Sequence, residues 1–146
     1  MIDITNFDHI GIRISDREKS VAFYELLGFE LIVDGGYDHG HPLMMLHPSG
    51  ININLLGPAT ARQGENVLMD EKPKFPGITH MALKVKDAEE TEAFVAANGI
   101  AVTGRRDFEG TRAIFIRDPD RNVFELIGPG PSAASLIAKH VSELDA

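Results

Sequence analysis

The sequence predicts an α+β fold made of two copies of a strand–helix–three-strand (βαβββ) module, followed by a C-terminal helix. Two observations support this prediction. A shift of 71 positions (119 − 48) brings residues 46–58 onto 117–129 and, without a gap, brings residues 9–28 onto 80–99. Each copy also shows the same succession of strand-like and helix-like hydrophobic patterns. An internal repeat of this kind determines the architecture.

Ten identities share this shift. The identical pairs are His9 and His80, Asp16 and Asp87, Glu18 and Glu89, Ala22 and Ala93, Phe23 and Phe94, Gly28 and Gly99, Pro48 and Pro119, Leu55 and Leu126, Gly57 and Gly128, and Pro58 and Pro129. The same shift places Asn54 opposite Glu125 (125 − 54 = 71). We therefore predict a single domain over 1–146, with module one at 3–58, a linker at 59–74, module two at 75–129 and a C-terminal helix at 132–144.

In module one, residues 7–14 alternate as a strand, with three isoleucines toward the helix and His9 and Arg13 on the opposite, concave face. Ser15 followed by Glu18 has the spacing of a capping box, and a glycine ends the helix. The predicted helix covers 16–27, and the further strands cover 29–34, 42–47 and 51–56.

Module two repeats this scheme, with His80 on the concave face of its first strand. The predicted helix covers 87–98, and the further strands cover 100–105, 113–117 and 123–127. In the last of these, Glu125 stands between two apolar residues. A carboxylate buried in an apolar strand is costly unless a cation or a metal compensates it.

Composition narrows the classes of function. The net charge is −8 and no Lys/Arg cluster occurs, which argues against nucleic acid or an anionic membrane as a partner. No cysteine is present, so disulfides and thiolate metal sites are excluded. The N-terminus lacks the features of a signal peptide, and no apolar run reaches 18 residues, so we expect a cytoplasmic location.

His9, His80 and Glu125 form the candidate metal site. A lone histidine on a strand is most often a hydrogen-bonded core residue, but two histidines at repeat-equivalent positions, with a carboxylate on the same face, favour a metal. Two imidazoles and a carboxylate form a facial triad that holds a divalent transition metal and leaves positions open for substrate.

Three stretches carry a resemblance to a known family: DHIGIRISDREKSVAFYELLGFEL, THMALKV and FIRDPDRNVFELIGP. They resemble the vicinal oxygen chelate superfamily of glyoxalase I, methylmalonyl-CoA epimerase, extradiol dioxygenases, and fosfomycin and bleomycin resistance proteins. The resemblance implies paired βαβββ modules whose curved mixed sheet encloses one divalent metal ion. It further implies a small-molecule substrate and a homodimer. His9, His80 and Glu125 match the family's ligands, whereas Asn54 replaces a glutamate of glyoxalase I and would be at most a weak fourth ligand.

The resemblance predicts a metal-dependent glyoxalase-like lyase or isomerase. Its substrate would be a small oxygen-chelating carbonyl compound, converted through an enediolate-type intermediate with Glu125 as both ligand and base. One alternative is a non-haem iron dioxygenase of the extradiol type, although Phe115 lies about where those enzymes have a tyrosine. Another is a metal-free resistance protein that sequesters a ligand. The sequence leaves the metal open among Zn, Ni, Mn, Co and Fe.

Further side chains are candidates for substrate contact. The residues on or near the concave face are Arg13, Tyr37, His39 and Phe115. Four arginines are candidates for holding an anionic group of the substrate: Arg105, Arg106, Arg112 and Arg117.

Overall fold

The computed structural model describes residues 1–62 and 64–144, in two compact units. Unit 1 consists of Met1–Asn66 and Asp118–Arg121, and unit 2 of Val67–Arg117 and Asn122–Ala146. Each unit contains a four-stranded mixed sheet and a helix that follows its first strand. The predicted α+β class and the predicted order of elements are therefore confirmed.

Unit 1 contains five regular elements and a short 3-10 helix at Tyr37–His39. The elements are β1 (Ile10–Arg13), α1 (Arg17–Leu26), β2 (Glu30–Asp34), β3 (Leu43–Leu46) and β4 (Asn52–Leu56). The strand order is β1-β4-β3-β2, with β1 parallel to β4 and the other pairs antiparallel. The side chains of Ile12, Met45, Ile53 and Leu55 are buried on one face of this sheet and form the core with α1.

Unit 2 repeats this topology with the strand order β5-β8-β7-β6. Its elements are β5 (Met81–Lys84), α2 (Ala88–Ala97), β6 (Gly104–Phe108), β7 (Thr111–Arg117), β8 (Val123–Ile127) and α3 (Ala133–Leu144). The first strand, the helix and the last strand begin and end 71 residues after their counterparts in unit 1 (81 − 10, 88 − 17, 123 − 52). In register, Gly11 lies opposite Asn54, and Ala82 lies opposite Glu125. The repeat is thus confirmed down to the pairing of individual residues.

Aspartates begin both module helices. The Asp16 side chain accepts a hydrogen bond from the Lys19 amide, and that of Asp87 accepts one from the Glu90 amide. Such a cap contributes about 1 kcal/mol. The predicted capping box at Ser15 is therefore wrong, because the Ser15 amide and hydroxyl both donate to the Asp120 carboxylate instead.

The strand predicted at 100–105 lies at Gly104–Phe108, which corrects that prediction. Glu109 and Gly110 both have positive φ (48° and 82°), and they join β6 to β7 in a two-residue hairpin. A tight turn of this kind fixes the register of β6 against β7. As a result β7 begins at Thr111, and the polar sequence RRDF forms most of the edge strand β6. Because β6 is mostly polar, its sequence lacks the alternation of apolar residues that predicts a strand.

The DPD sequence after β7 is a structural element of unit 1. The buried Tyr24 hydroxyl donates to Asp118 Oδ2 at 2.7 Å, and Asp118 Oδ1 accepts the Asp120 amide at 2.9 Å. Burial, together with the Asp118 carboxylate, raises the pKa of Tyr24 well above its usual value. This turn therefore fixes α1 and, through Asp120, the end of β1.

The predicted C-terminal helix is confirmed as α3, none of whose residues is buried. Its apolar side chains are exposed: Leu136, Ile137, Val141 and Leu144. Over residues 1–62 and 64–144, no helix has the length and apolar character needed to cross a membrane.

Candidate metal centre

The face of the unit 2 sheet that points away from α2 carries Glu125. On β8, Glu125 lies opposite Ala82 of β5 on one side and opposite Phe115 of β7 on the other. The alternation of side chains along β8 turns Phe124 and Leu126 to the face that packs against α2. Glu125 is only 4% exposed, as expected from its place in an apolar strand.

Glu125 uses its two oxygens separately. Oε2 lies 3.3 Å from His80 Nε2, and Oε1 accepts a hydrogen bond from Arg106 Nη2 at 2.5 Å. A buried carboxylate is expected to have a cation or a metal beside it, and in the structure the Arg106 guanidinium is that cation. The sequence alone did not connect Arg106 with Glu125. The contact crosses β7, and the strand predicted at 100–105 did not include Arg106, which belongs to β6.

His80 is held in place on both sides of its ring. It directly precedes β5, and its Nδ1 lies 2.9 Å from Thr79 Oγ1. The ring meets that of Phe115 edge-on, with centroids 6.0 Å apart. Phe115, a predicted substrate residue, thus contacts His80, and a direct substrate contact remains a prediction.

His9 in unit 1 has a matching arrangement. It directly precedes β1, and its Nδ1 lies 2.5 Å from Asp8 Oδ1. In both modules the side chain of the residue before the histidine contacts Nδ1, and these residues, Asp8 and Thr79, are equivalent in the repeat (79 − 8 = 71). The other ring nitrogen, Nε2, can then bind a different partner. Metal-binding histidines commonly show this arrangement, because the hydrogen bond at one nitrogen fixes the ring for coordination through the other.

Asn54, the counterpart of Glu125, is 8% exposed, and its Oδ1 is buried with no hydrogen-bond partner in the part of the chain that the structure describes. Leaving a buried amide oxygen unpaired costs about 1–3 kcal/mol. An unpaired, buried oxygen of this kind is suited to contacting a bound ligand.

The donor atoms of unit 2 fit a divalent ion. Two atoms that each lie about 2.1 Å from one tetrahedral ion are about 3.4 Å apart. The separation of 3.3 Å between His80 Nε2 and Glu125 Oε2 agrees with this value. Within neither unit do the described residues form a group of three or more His, Asp or Glu side chains suited to a metal. His9 as the third ligand therefore stays a prediction.

The other candidate substrate residues have varied surroundings. Tyr37 is buried, and its hydroxyl donates to the Ile14 carbonyl at 3.0 Å. Burial raises the pKa of Tyr37, so this side chain stays neutral and stabilises the turn. His39 and Arg13 are exposed, and their contact with a substrate stays a prediction.

Three of the four candidate arginines have acidic partners away from Glu125. Arg105 pairs with Glu92, Arg112 with Glu89 and Glu92, and Arg117 with Asp70. Arg105 and Arg112 also line a cavity of about 220 Å³ between α2 and the sheet. This cavity lies mainly on the helix side of the sheet, and Glu125 is not part of its lining.

Comparison with known protein families decides the family. Residues 6–126 match the model of the Glyoxalase/Bleomycin resistance protein/Dioxygenase superfamily. The chain belongs to this superfamily. The resemblance inferred from sequence is thereby confirmed. No protein in the curated collection matches the chain significantly.

Solved structures agree with this assignment. A glyoxalase family protein from Enterococcus faecalis is 28% identical, with a TM-score of 0.67 over 86% of this chain and 99% of that one. The protein SMU.1112c is 26% identical, with a TM-score of 0.70 over 86% and 99% of the two chains. The fosfomycin resistance protein FosX from Listeria monocytogenes is 18% identical, with a TM-score of 0.68 over 93% and 98% of the two chains, and shows the shared fold.

Proposed function

We propose that this superfamily member is a metal-dependent lyase or isomerase of the glyoxalase type. Its substrate is a small carbonyl compound with two neighbouring oxygens, converted through an enediolate-type intermediate. The observation that carries the proposal is the buried Glu125 carboxylate, with one oxygen 3.3 Å from the Nε2 of an oriented histidine. A carboxylate and an imidazole held in this way on one sheet face are suited to binding a metal and moving a proton.

The ligand set follows from the unit 2 geometry and from the repeat. His80 and Glu125 supply two donors, the repeat supports His9 as the third, and Asn54 is a weak fourth. A bound divalent cation of Zn, Ni, Mn, Co or Fe would stabilise the negative charge that develops on the substrate oxygens.

The chain's own residues then handle the proton. Glu125 takes the proton from the carbon next to the carbonyl and returns it to the neighbouring carbon. Thr79 and Phe115 keep the His80 ring in one orientation. Because Glu125 is buried in the sheet face, its position is fixed before substrate arrives, which lowers the cost of reaching the reactive geometry.

A metal-free binding protein is the second candidate. The Arg106–Glu125 ion pair favours it, because this pair compensates the buried carboxylate without a metal. The dioxygenase alternative has weaker support, because Phe115 lies directly opposite Glu125 on β7 and has no hydroxyl group to donate a proton.

Metal content tests the proposal. We expect tag-free protein incubated with divalent ions to retain close to one equivalent, and His80→Ala to lose it, by elemental analysis. His140→Ala on the exposed helix α3 is the control and should keep the metal. Loaded protein should also exchange the proton next to the carbonyl of small hydroxycarbonyl compounds with D₂O, followed by NMR. Failure of the wild type to take up any metal would refute the enzyme and favour the binding protein.

A further inference from the structure

Arg106, which pairs with Glu125, has further hydrogen-bond donors that could bind a ligand. Arg106 makes one ion pair among residues 1–62 and 64–144, through Nη2 alone, and its side chain is 54% exposed. A guanidinium has five N–H donors arranged to hold a carboxylate or phosphate through two bonds. Most of the donors of Arg106 are therefore unused while it contacts Glu125.

We propose that the Arg106 guanidinium binds an anionic group of the substrate beside the metal that Glu125 holds. This inference rests on the proposed function and specifies its substrate class: a carbonyl compound that also carries a carboxylate or a similar anion. It assigns Arg106 to specificity, while Glu125 carries the chemistry.

The sheet register explains how Arg106 reaches the site. Arg106 lies on β6, Glu125 lies on β8, and β7 runs between them. The residue opposite Arg106 on β7 is Ala113, whose side chain is a single methyl group. A short side chain at this position leaves the face open for the guanidinium to cross β7. Neighbouring Arg105 points to the other face and pairs with Glu92 on α2.

Charge balance favours an anionic substrate. In the metal-free protein, Arg106 and Glu125 neutralise each other. A divalent ion on Glu125 adds two positive charges, so the group carries a surplus of two (+2 + 1 − 1) while the histidines are neutral. The side chain of Lys84, on the same face of β5, adds another positive charge and donates to the Gly128 carbonyl at 2.7 Å. An anion bound at Arg106 removes part of this surplus, and a neutral substrate does not.

Oxalate binding to cobalt-loaded protein tests the inference, because oxalate is a small dianion with two neighbouring oxygens. With protein in excess over cobalt(II), the visible absorption of the bound ion reports oxalate without turnover. We expect Arg106→Met to retain cobalt and to weaken oxalate binding at least tenfold. Arg106→Lys, which keeps the charge without the fork, should weaken it several-fold. Arg105→Met is the matched control and should bind oxalate like the wild type.

The outcomes separate the inference from the proposed function. Cobalt-loaded Arg106→Met or Arg106→Lys that binds oxalate as tightly as the wild type overturns the anion site and leaves the metal site standing. Equal weakening in Arg105→Met and Arg106→Met also overturns it, because the effect would then come from overall charge. A wild type that takes up no cobalt overturns both the inference and the proposed function.

Discussion

The two modules share one backbone plan, but the side chains at two pairs of equivalent positions have different partners. At the first pair, Asn54 has a buried oxygen that finds no partner among residues 1–62 and 64–144, whereas Glu125 has a partner for each oxygen. At the second pair, His47 and Asp118 both accept the amide two residues ahead, from Ser49 and Asp120 respectively. Asp118 additionally accepts the buried Tyr24 hydroxyl. At both pairs the carboxylate lies in module two, and equivalent backbone positions therefore have different roles in the two modules.

The largest expected effect is on the second pair. Asp118→Ala removes the carboxylate that accepts the buried Tyr24 hydroxyl and also removes a turn hydrogen bond, so we expect a loss of about 3 kcal/mol in the free energy of unfolding. His47→Ala removes the turn interaction with Ser49 and the contact of the His47 ring with Phe29. It should still cost less than Asp118→Ala, because no buried hydroxyl loses its acceptor. Urea unfolding of both variants measures the difference. Equal losses would show that the two turns still have the same role.

Tyr24→Phe separates the hydroxyl contribution from that of the turn. It should cost about 1 kcal/mol, because the Asp118 carboxylate keeps its bond to Asp120. It should also change how the free energy of unfolding depends on pH in alkaline solution. The raised pKa of Tyr24 means that the folded state keeps this proton longer than the unfolded state, so wild-type stability falls as pH rises above about 10. Stability curves of Tyr24→Phe with an undiminished slope above that pH would contradict this assignment.

The first pair gives a smaller effect, of opposite sign. Asn54→Leu replaces a buried amide, whose oxygen has no partner among the described residues, with an apolar side chain of similar volume. It should raise the free energy of unfolding of the metal-free protein by about 1 kcal/mol. Thermal unfolding of the metal-free protein measures it. If Asn54→Leu is more stable than the wild type but binds metal more weakly, Asn54 serves metal binding at the expense of stability. Destabilisation would instead indicate that Asn54 has a partner in solution.

The smallest effect concerns an ion pair that module one has without a counterpart. Arg17 Nη2 lies 2.6 Å from Asp34 Oδ2, and the repeat equivalent of Arg17 is Ala88. The hydrogen bond from Arg17 lowers the pKa of Asp34, so its contribution to stability is present above about pH 4 and is lost as pH falls through the folded pKa. Asp34→Asn should make the acid limb of the stability curve slightly shallower. An unchanged limb would mean that solvent screens the pair completely.

Some features of the fold and site could be predicted from the sequence, and others could not. The repeat located β1, α1, β4 and their counterparts because identical residues mark equivalent backbone positions. Alternation along β8 placed Glu125 on one face, and the structure brings His80 to it. Arg106 could not be connected with Glu125, since the contact crosses a whole strand and depends on a small side chain at Ala113. The cap at Asp16 was missed because Ser15 bonds to Asp120, which is 105 residues away in sequence.

The place of Asp118 has a consequence for dividing the chain. Unit 1 consists of 1–66 together with the four residues 118–121, so it is not contiguous in sequence. A fragment that ends near residue 66 lacks Asp118, and with it the carboxylate that accepts the buried Tyr24 hydroxyl. It also lacks the Asp120 carboxylate that accepts from Ser15. This gives a physical reason why two separately expressed halves should not each fold as well as the joined protein.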